Sequence, residues 1–291
     1  MALTINTNMS SLIVQKNLNA ATSMLNKSIE RMTTGYKINH AADNAAGYSI
    51  ATTWKTQLGS LDVASDNAST GADMLTTLED TYSLITSHLQ RVRDLTEQAA
   101  NGTYGSDSLK AIASEITARL EEIDRISANC EFNGLKMMDG SLTDDINLQV
   151  GLYSDAASRI ALDASLFQNG HVSALFKTFG GVGGATVAEV AKLCSGYDGK
   201  QITGGQNEML NKIDAVISEI SARTTTLGAA QNRIESAVES INVQSENITS
   251  SLSTLRDADV AEESSNYIKA QILQQASATL LATANQTPSI A

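Results

Sequence analysis

The stretch that decides the fold runs from Ile213 to Leu255 and reads IDAVISEISARTTTLGAAQNRIESAVESINVQSENITSSLSTL. Ile213, Ile220, Leu227, Ile234, Ile241, Ile248 and Leu255 recur every seven residues, with Ala230, Ala237 and Leu252 supplying part of a second seam. An apolar repeat of seven held this long sets one stripe of an α-helix against partner helices and imposes a left-handed supercoil. At 1.5 Å per residue the segment extends roughly 63 Å. A globular domain of this chain length is only about 50 Å across, so the pattern predicts a rod.

Working outward, a matching partner lies upstream. Trp54, Leu61, Ala68, Leu75, Tyr82 and Leu89 fall at sevens, and Leu58, Ala64, Ala72, Leu78, Ile85, Val92 and Ala99 occupy the complementary seam. This predicts a helix from about Asp43 to Asn101-Gly102. Leu61, Leu75 and Leu89 then face Ile220, Leu227, Ile234, Ile241 and Ile248 in an intramolecular coiled coil. A third helix is predicted over Ser106–Ala128, with Ile112, Ile116, Leu120 and Ile123 on one side. At the ends, Val14, Leu18, Ala21, Leu25, Ile29 and Met32 form one amphipathic stripe, closed by Thr33-Thr34-Gly35-Tyr36. Ile268, Ile272, Ala276 and Leu280 form another, from about Asp259. Between these blocks, Ile146–Val150 alternates and Arg159–Leu162 resembles it, as short half-exposed strands do. Nine of the 19 glycines lie in residues 170–205. The predicted fold is mainly α: an elongated rod of long coiled-coil helices with a small β-hairpin region and both termini at the same end.

Composition narrows the function. The chain has 291 residues, a net charge of −12, 4% aromatics and a single proline, Pro288. Enzymes of this size line their pockets with more aromatics and build loops with more proline. The acidic balance has no basic cluster to neutralise phosphates, which argues against nucleic acid. No run of 18 apolar residues exists, so membrane insertion is not expected, and Met1–Val14 lacks the basic start of a Sec signal peptide.

The glycine cluster satisfies neither nucleotide-binding pattern and reads as turn or variable loop. His40, His88 and His171 lie far apart and read as solvated or satisfied side chains. Glu121-Glu122 and Glu262-Glu263 read as solvent-facing charge. Cys130 and Cys194 form neither a disulfide framework nor a metal set; they read as small buried thiols, with a single bridge as the alternative. Asn-x-Ser/Thr matches such as Asn101-Gly102-Thr103 are chance occurrences in a chain without a Sec signal. No catalytic site, cofactor or metal set emerges.

What remains is self-association. Residues 1–26 carry one charge, Lys16, and residues 264–291 carry one, Lys269. A helix exposed to solvent in a monomer carries more charge on its outer face. These ends suit surfaces buried against copies of the chain, ordering on assembly. A head-to-tail contact that does not close generates an open helical filament. Leu18, Leu25, Ile29, Met32, Ile268, Ile272 and Leu280 are the candidate self-assembly residues.

The motifs that carry a family resemblance are Ala2–Asn8 (ALTINTN), Ser28–Gly35 (SIERMTTG), Ile38-Asn39, Ala41–Gly47 (AADNAAG), Leu89–Leu95 (LQRVRDL) and Ala99–Gly102 (AANG). Glu115–Arg125 (EITARLEEIDR), Phe132–Gly134 (FNG), Leu255–Val260 (LRDADV), Ala261-Glu262 and Ala284–Pro288 (ANQTP) follow in order. In this series the chain resembles bacterial flagellin over nearly its whole length, apart from the central third. The resemblance implies an inner, channel-lining coiled-coil domain at 1–42 and 257–291, a helical rod domain with a β-hairpin at 43–170 and 206–256, and a short variable segment at 171–205. It implies secretion through the flagellar type III export channel to an extracellular filament used for swimming or swarming. The implied partners are an export chaperone, a filament cap, hook-associated junction proteins and, through Arg91, Leu95 and Glu115, host Toll-like receptor 5.

Flagellins generally lack cysteine, so by resemblance Cys130 and Cys194 point to outer-surface or oxidative chemistry. The stop at Ala291, soon after the proline, implies a truncated tail or a differently packed channel wall. A hook–filament junction protein and a secreted coiled-coil ligand or adhesin are the alternatives.

Overall fold

The computed structural model describes residues 8–177, 186–196 and 206–286. The opening ALTINT, the glycines at 180–184 and 204–205, and Pro288 therefore lie outside the described residues. Helix α1 spans Met9–Thr34. Asn8 caps it, its side chain accepting from the Ser11 amide at 3.1 Å, and Gly35 ends it at φ 75° with its own amide on the Arg31 carbonyl. A left-handed residue is needed there, and glycine adopts it without a Cβ clash. The punctuation read at Thr33–Tyr36 is thus a helix stop.

Helix α2 covers Ala45–Ala100 and α3 Ser106–Asn129. Strands β1 (Glu131–Phe132) and β2 (Leu135–Lys136) form a two-residue hairpin over Asn133 (φ 48°) and Gly134 (φ 80°). Two successive left-handed residues match the strand twist, which is why Asn-Gly closes such turns. Strands β3 (Ile146–Gln149) and β4 (Arg159–Leu162) pair antiparallel, at the two segments read as strands. Short helices α4 (Val172–Leu175) and α5 (Val187–Ser195) follow, then α6 (Gln206–Arg256) and α7 (Val260–Gln286).

The residues group into two compact units. One comprises Ser60–Val243. Its core carries the seven-residue repeats: Leu61, Leu75, Tyr82 and Leu89 of α2 and Ile213, Ile220, Leu227, Ile234 and Ile241 of α6 are all buried. Ile112, Ile116, Leu120 and Ile123 of α3 join them. Arg93 of α2 donates to Asp214 of α6 at 2.5 Å, and Gln231 of α6 donates to Glu79 of α2 at 2.9 Å. The β3–β4 hairpin docks where α2 has Gly71; a Cβ there would overlap Leu148. Asn67 then donates to the Gln149 carbonyl at 3.1 Å.

Within the span read as variable loop, α5 is a capped helix packed on α3, with Val190, Ala191 and Cys194 buried. Its capping box, Thr186 with Glu189, is a sequence signal that glycine density overshadowed. The other unit comprises Met1–Gly59 with Gln244–Ala291, and holds the terminal helices.

Candidate functional site

In the terminal unit α1 and α7 run antiparallel. Asn8 donates to the Ala284 carbonyl at 2.7 Å, Thr22 and Gln274 are linked at 3.2 Å, and Arg31 donates to Glu263 at 2.7 Å. The facing positions of α1 are Val14, Leu18, Ala21, Leu25 and Ser28, spaced at four and three. On α7 they are Glu263, Tyr267, Ala270, Gln274, Ser277 and Leu281, again at four and three. The most deeply buried of these are Ala21, Ser28, Glu263, Ala270 and Ser277, four of them small. Val14, Leu18, Leu25 and Leu281 are half-buried in the same seam.

Other large apolar residues of the two helices are exposed. Met9, Leu12, Ile13, Met24, Ile29 and Met32 of α1 are exposed, as are Ile268, Ile272, Leu273 and Leu280 of α7; Ile272 is 60% accessible. Of the candidate assembly residues, Ile268, Ile272 and Leu280 lie on the outer face of α7, and Ile29 and Met32 of α1 are exposed. Leu18 and Leu25 are half-buried in the seam. Sequence periodicity missed Met9, Leu12, Ile13, Met24 and Leu273, because each helix carries more apolar residues than one stripe holds. Full burial of one such side chain is worth about 1.5–3 kcal/mol, so covering several of them is favourable.

The end of this pair nearest Gly35 is fastened by polar groups. The backbone amides of Lys37 and Ala258 donate to the carbonyls of Arg256 and Gly35 at 2.7 and 2.8 Å, forming a short bridge between the two interhelix turns. The Arg256 guanidinium stacks 4.1 Å above the Tyr36 ring. Lys27 pairs with Asp43 at 2.7 Å, and that hydrogen bond is the chief reason the Asp43 carboxyl is held down to about 2. Glu263, read from sequence as solvent-facing, is only 6% exposed, and Arg31 supplies the charge that makes its burial tolerable. A cleft of about 390 Å³ beside these groups is lined by residues of both signs, including Arg31, Lys37, Asp43, Asp259, Glu262 and Glu263.

Other sequence candidates occupy the Ser60–Val243 unit. Leu61, Leu75, Leu89, Ile220, Leu227, Ile234 and Ile241 are core, whereas Ile248 lies in the terminal unit and is half-buried. Arg91 of α2 donates to Glu115 of α3 at 2.9 Å, with both side chains partly exposed, while Leu95 is buried at 2%. Cys130 and Cys194 are free and buried, which corrects the outer-surface and oxidative expectation. Burial raises both thiols, Cys194 to about 12, so neither forms a reactive thiolate readily. His88, read from sequence as solvated or satisfied, is half-buried with its Nδ1 buried and without a partner among the described residues, and desolvation, followed by the Arg119 charge, lowers its pKa. No described helix is long and apolar enough to cross a membrane.

Comparison with known proteins agrees with this arrangement at both ends of the chain. Residues 5–143 match the family model for the bacterial flagellin N-terminal helical region, and residues 210–290 match that for the C-terminal helical region. The flagellin of Bacillus subtilis (strain 168) is 33% identical, over 98% of this chain and 97% of the relative. Flagellin FlaB1 of Treponema pallidum (strain Nichols) is 31% identical, over 97% of this chain and 96% of the relative. A putative flagellar hook-associated protein from Vibrio parahaemolyticus shares the fold, with a TM-score of 0.62 at 13% identity over 74% of this chain and all of that one. With both helical regions matched and relatives above 30% identity along nearly the full length, the chain belongs to the bacterial flagellin family.

Proposed function

We propose that this flagellin polymerises into the flagellar filament through the outer faces of α1 and α7. One observation carries the reading: the charge-poor terminal helices pack on each other with mostly small residues at the most deeply buried seam positions and leave many large apolar residues exposed. Copies stacking in an open helical array bury those faces. The Ser60–Val243 unit supplies a prefolded body for the array. The filament lies outside the cell, which the chain reaches through the type III export channel. An export chaperone would cover the same apolar faces before assembly, and a cap and hook-associated junction proteins would meet the subunit at the filament's two ends. Purified protein seeded with filament fragments should elongate into filaments visible by electron microscopy. A soluble full-length monomer under all seeding conditions would refute the reading.

Recognition by Toll-like receptor 5 is a second reading for the α2–α3 surface. The Arg91–Glu115 pair is accessible there, whereas Leu95 lies beneath it in the core. Arg91→Ala is the clean probe. An exposed ion pair contributes about 0–1 kcal/mol, so the fold should survive while receptor activation falls. Unchanged activation would discard the reading. Leu95→Ala would confound packing with recognition.

A further inference from the structure

The chain contains three Asn-Gly pairs, Asn101-Gly102, Asn133-Gly134 and Asn169-Gly170, and the fold treats them unequally. In such a pair the glycine backbone nitrogen can attack the asparagine Cγ. A C–N bond forms, the amide nitrogen leaves as ammonia, and a five-membered succinimide results. Water then opens the ring on either side, giving aspartate or isoaspartate. No other reactant is required. The step does need a glycine nitrogen that is not engaged and a side chain able to swing over it.

Asn169-Gly170 meets neither condition. Gly170 donates its amide to the Met138 carbonyl at 2.9 Å. The Asn169 side chain accepts from the His171 amide at 2.8 Å and donates to the Asp139 carbonyl at 3.3 Å. The pair is packed in as well, since a Cβ on Gly170 would press on Met138 and Ser127.

Asn133-Gly134 closes the β1–β2 hairpin, with Asn133 at φ 48° and Gly134 at φ 80°. The strand pairs Phe132 with Leu135 and Glu131 with Lys136 hold that turn, and Met137 extends it by donating to Cys130 at 2.9 Å. Bringing the side chain over Gly134 requires the left-handed turn to open.

Asn101-Gly102 lies in the five-residue connection between α2 and α3, beyond the last turn of α2. Asn101 is exposed. Its Oδ1 accepts from the Thr103 amide at 3.4 Å, a long contact that holds the side chain weakly. Among the described residues, the Gly102 amide meets no acceptor. The backbone bonds around it, Asn101 to Gln98 at 3.2 Å and Tyr104 to Asn101 at 3.4 Å, are long too. Weakly bonded exposed backbone opens at little free-energy cost, so ring closure there is not gated by unfolding.

We infer that Asn101 is a site of spontaneous succinimide formation and conversion to aspartate and isoaspartate in the folded protein, and that Asn133 and Asn169 are protected by the fold. Conversion moves the net charge from −12 to −13. It sets a carboxylate at the C-terminal end of α2, whose last turn carries no basic residue. The helix macrodipole is negative at that end, so the product should loosen the final turn of α2.

The test is to incubate the full-length folded protein at mildly alkaline pH in ¹⁸O-water. Peptide mass mapping and isoaspartyl methyltransferase labelling then follow each site over time. Asn101 should convert at least about tenfold faster than Asn133 and Asn169, while in guanidinium-denatured chain all three should convert within about threefold of one another. Gly102→Ala should slow the folded-state reaction at residue 101 without changing the helical circular dichroism. The inference is overturned if Asn133 or Asn169 keeps pace with Asn101 in the folded protein. It is equally overturned if Asn101 stays intact there while the denatured chain converts.

Discussion

The α1–α7 pair and the α2–α6 pair are both written in seam spacings of four and three, yet they bury opposite kinds of residue. In the Ser60–Val243 unit the seam holds large aliphatic side chains such as Leu75, Leu89, Ile220 and Leu227, all essentially inaccessible. In the terminal unit the deepest seam positions are Ala21, Ser28, Glu263, Ala270 and Ser277, and many large aliphatic residues, Ile268, Ile272 and Leu280 among them, are exposed. The same periodicity therefore serves two purposes. One pair is stabilised by its own interior. The other packs through a seam whose deepest positions are mostly small and leaves much large apolar area exposed.

Three substitutions probe that contrast, in decreasing order of effect. Leu89→Ala removes a fully buried side chain from the aliphatic seam and should cost about 2–5 kcal/mol in urea-induced unfolding of the Ser60–Val243 unit. A cost below about 1 kcal/mol would mean that this seam is not the stabilising one.

Glu263→Gln leaves Arg31 without its charged partner at the turn end of the terminal pair, and should weaken α1–α7 pairing by about 1–3 kcal/mol. Amide hydrogen exchange should show faster opening in α1 and α7 while α3 is unaffected. Equal loosening of α3 would contradict the division into separately stabilised pairs.

Asp43→Asn tests the Lys27 link and should have the smallest effect. The folded carboxyl is held at about 2 against an ordinary 3.8. A depressed acid stabilises the fold fully above its unfolded value and loses that contribution as pH falls through its folded value. The parent protein should therefore lose α1 stability between about pH 4 and pH 2, and the variant should show a flatter acid limb. Identical acid limbs would remove the link from the account.

The aliphatic pair was legible in the sequence because a large residue every seven positions can be read without knowing what it faces. The stop at Gly35, the strands around Asn147 and Ile160, and the burial of both cysteines were equally local in origin. The terminal seam was less legible. The residues of α7 read as one stripe, Ile268, Ile272, Ala276 and Leu280, are all exposed, and the facing stripe is marked by Glu263, Ala270 and Ser277. Hydrophobicity identifies a face that avoids water but does not say which neighbour covers it. Burial of Glu263 was hidden for a similar reason, since its partner Arg31 lies 232 residues away in sequence. Helix α5 announced itself through its capping box, but the glycines on either side outweighed that signal.

The central claim is that the outer faces of α1 and α7 drive polymerisation without holding the subunit together. Ile272→Asp addresses it most directly, because Ile272 is 60% exposed and lies outside the seam. The measurement is seeded elongation followed by light scattering and electron microscopy, with unfolding of the same monomer as control. The account predicts that elongation is lost while monomer stability changes by less than about 0.5 kcal/mol. Filaments growing at the parent rate would contradict it.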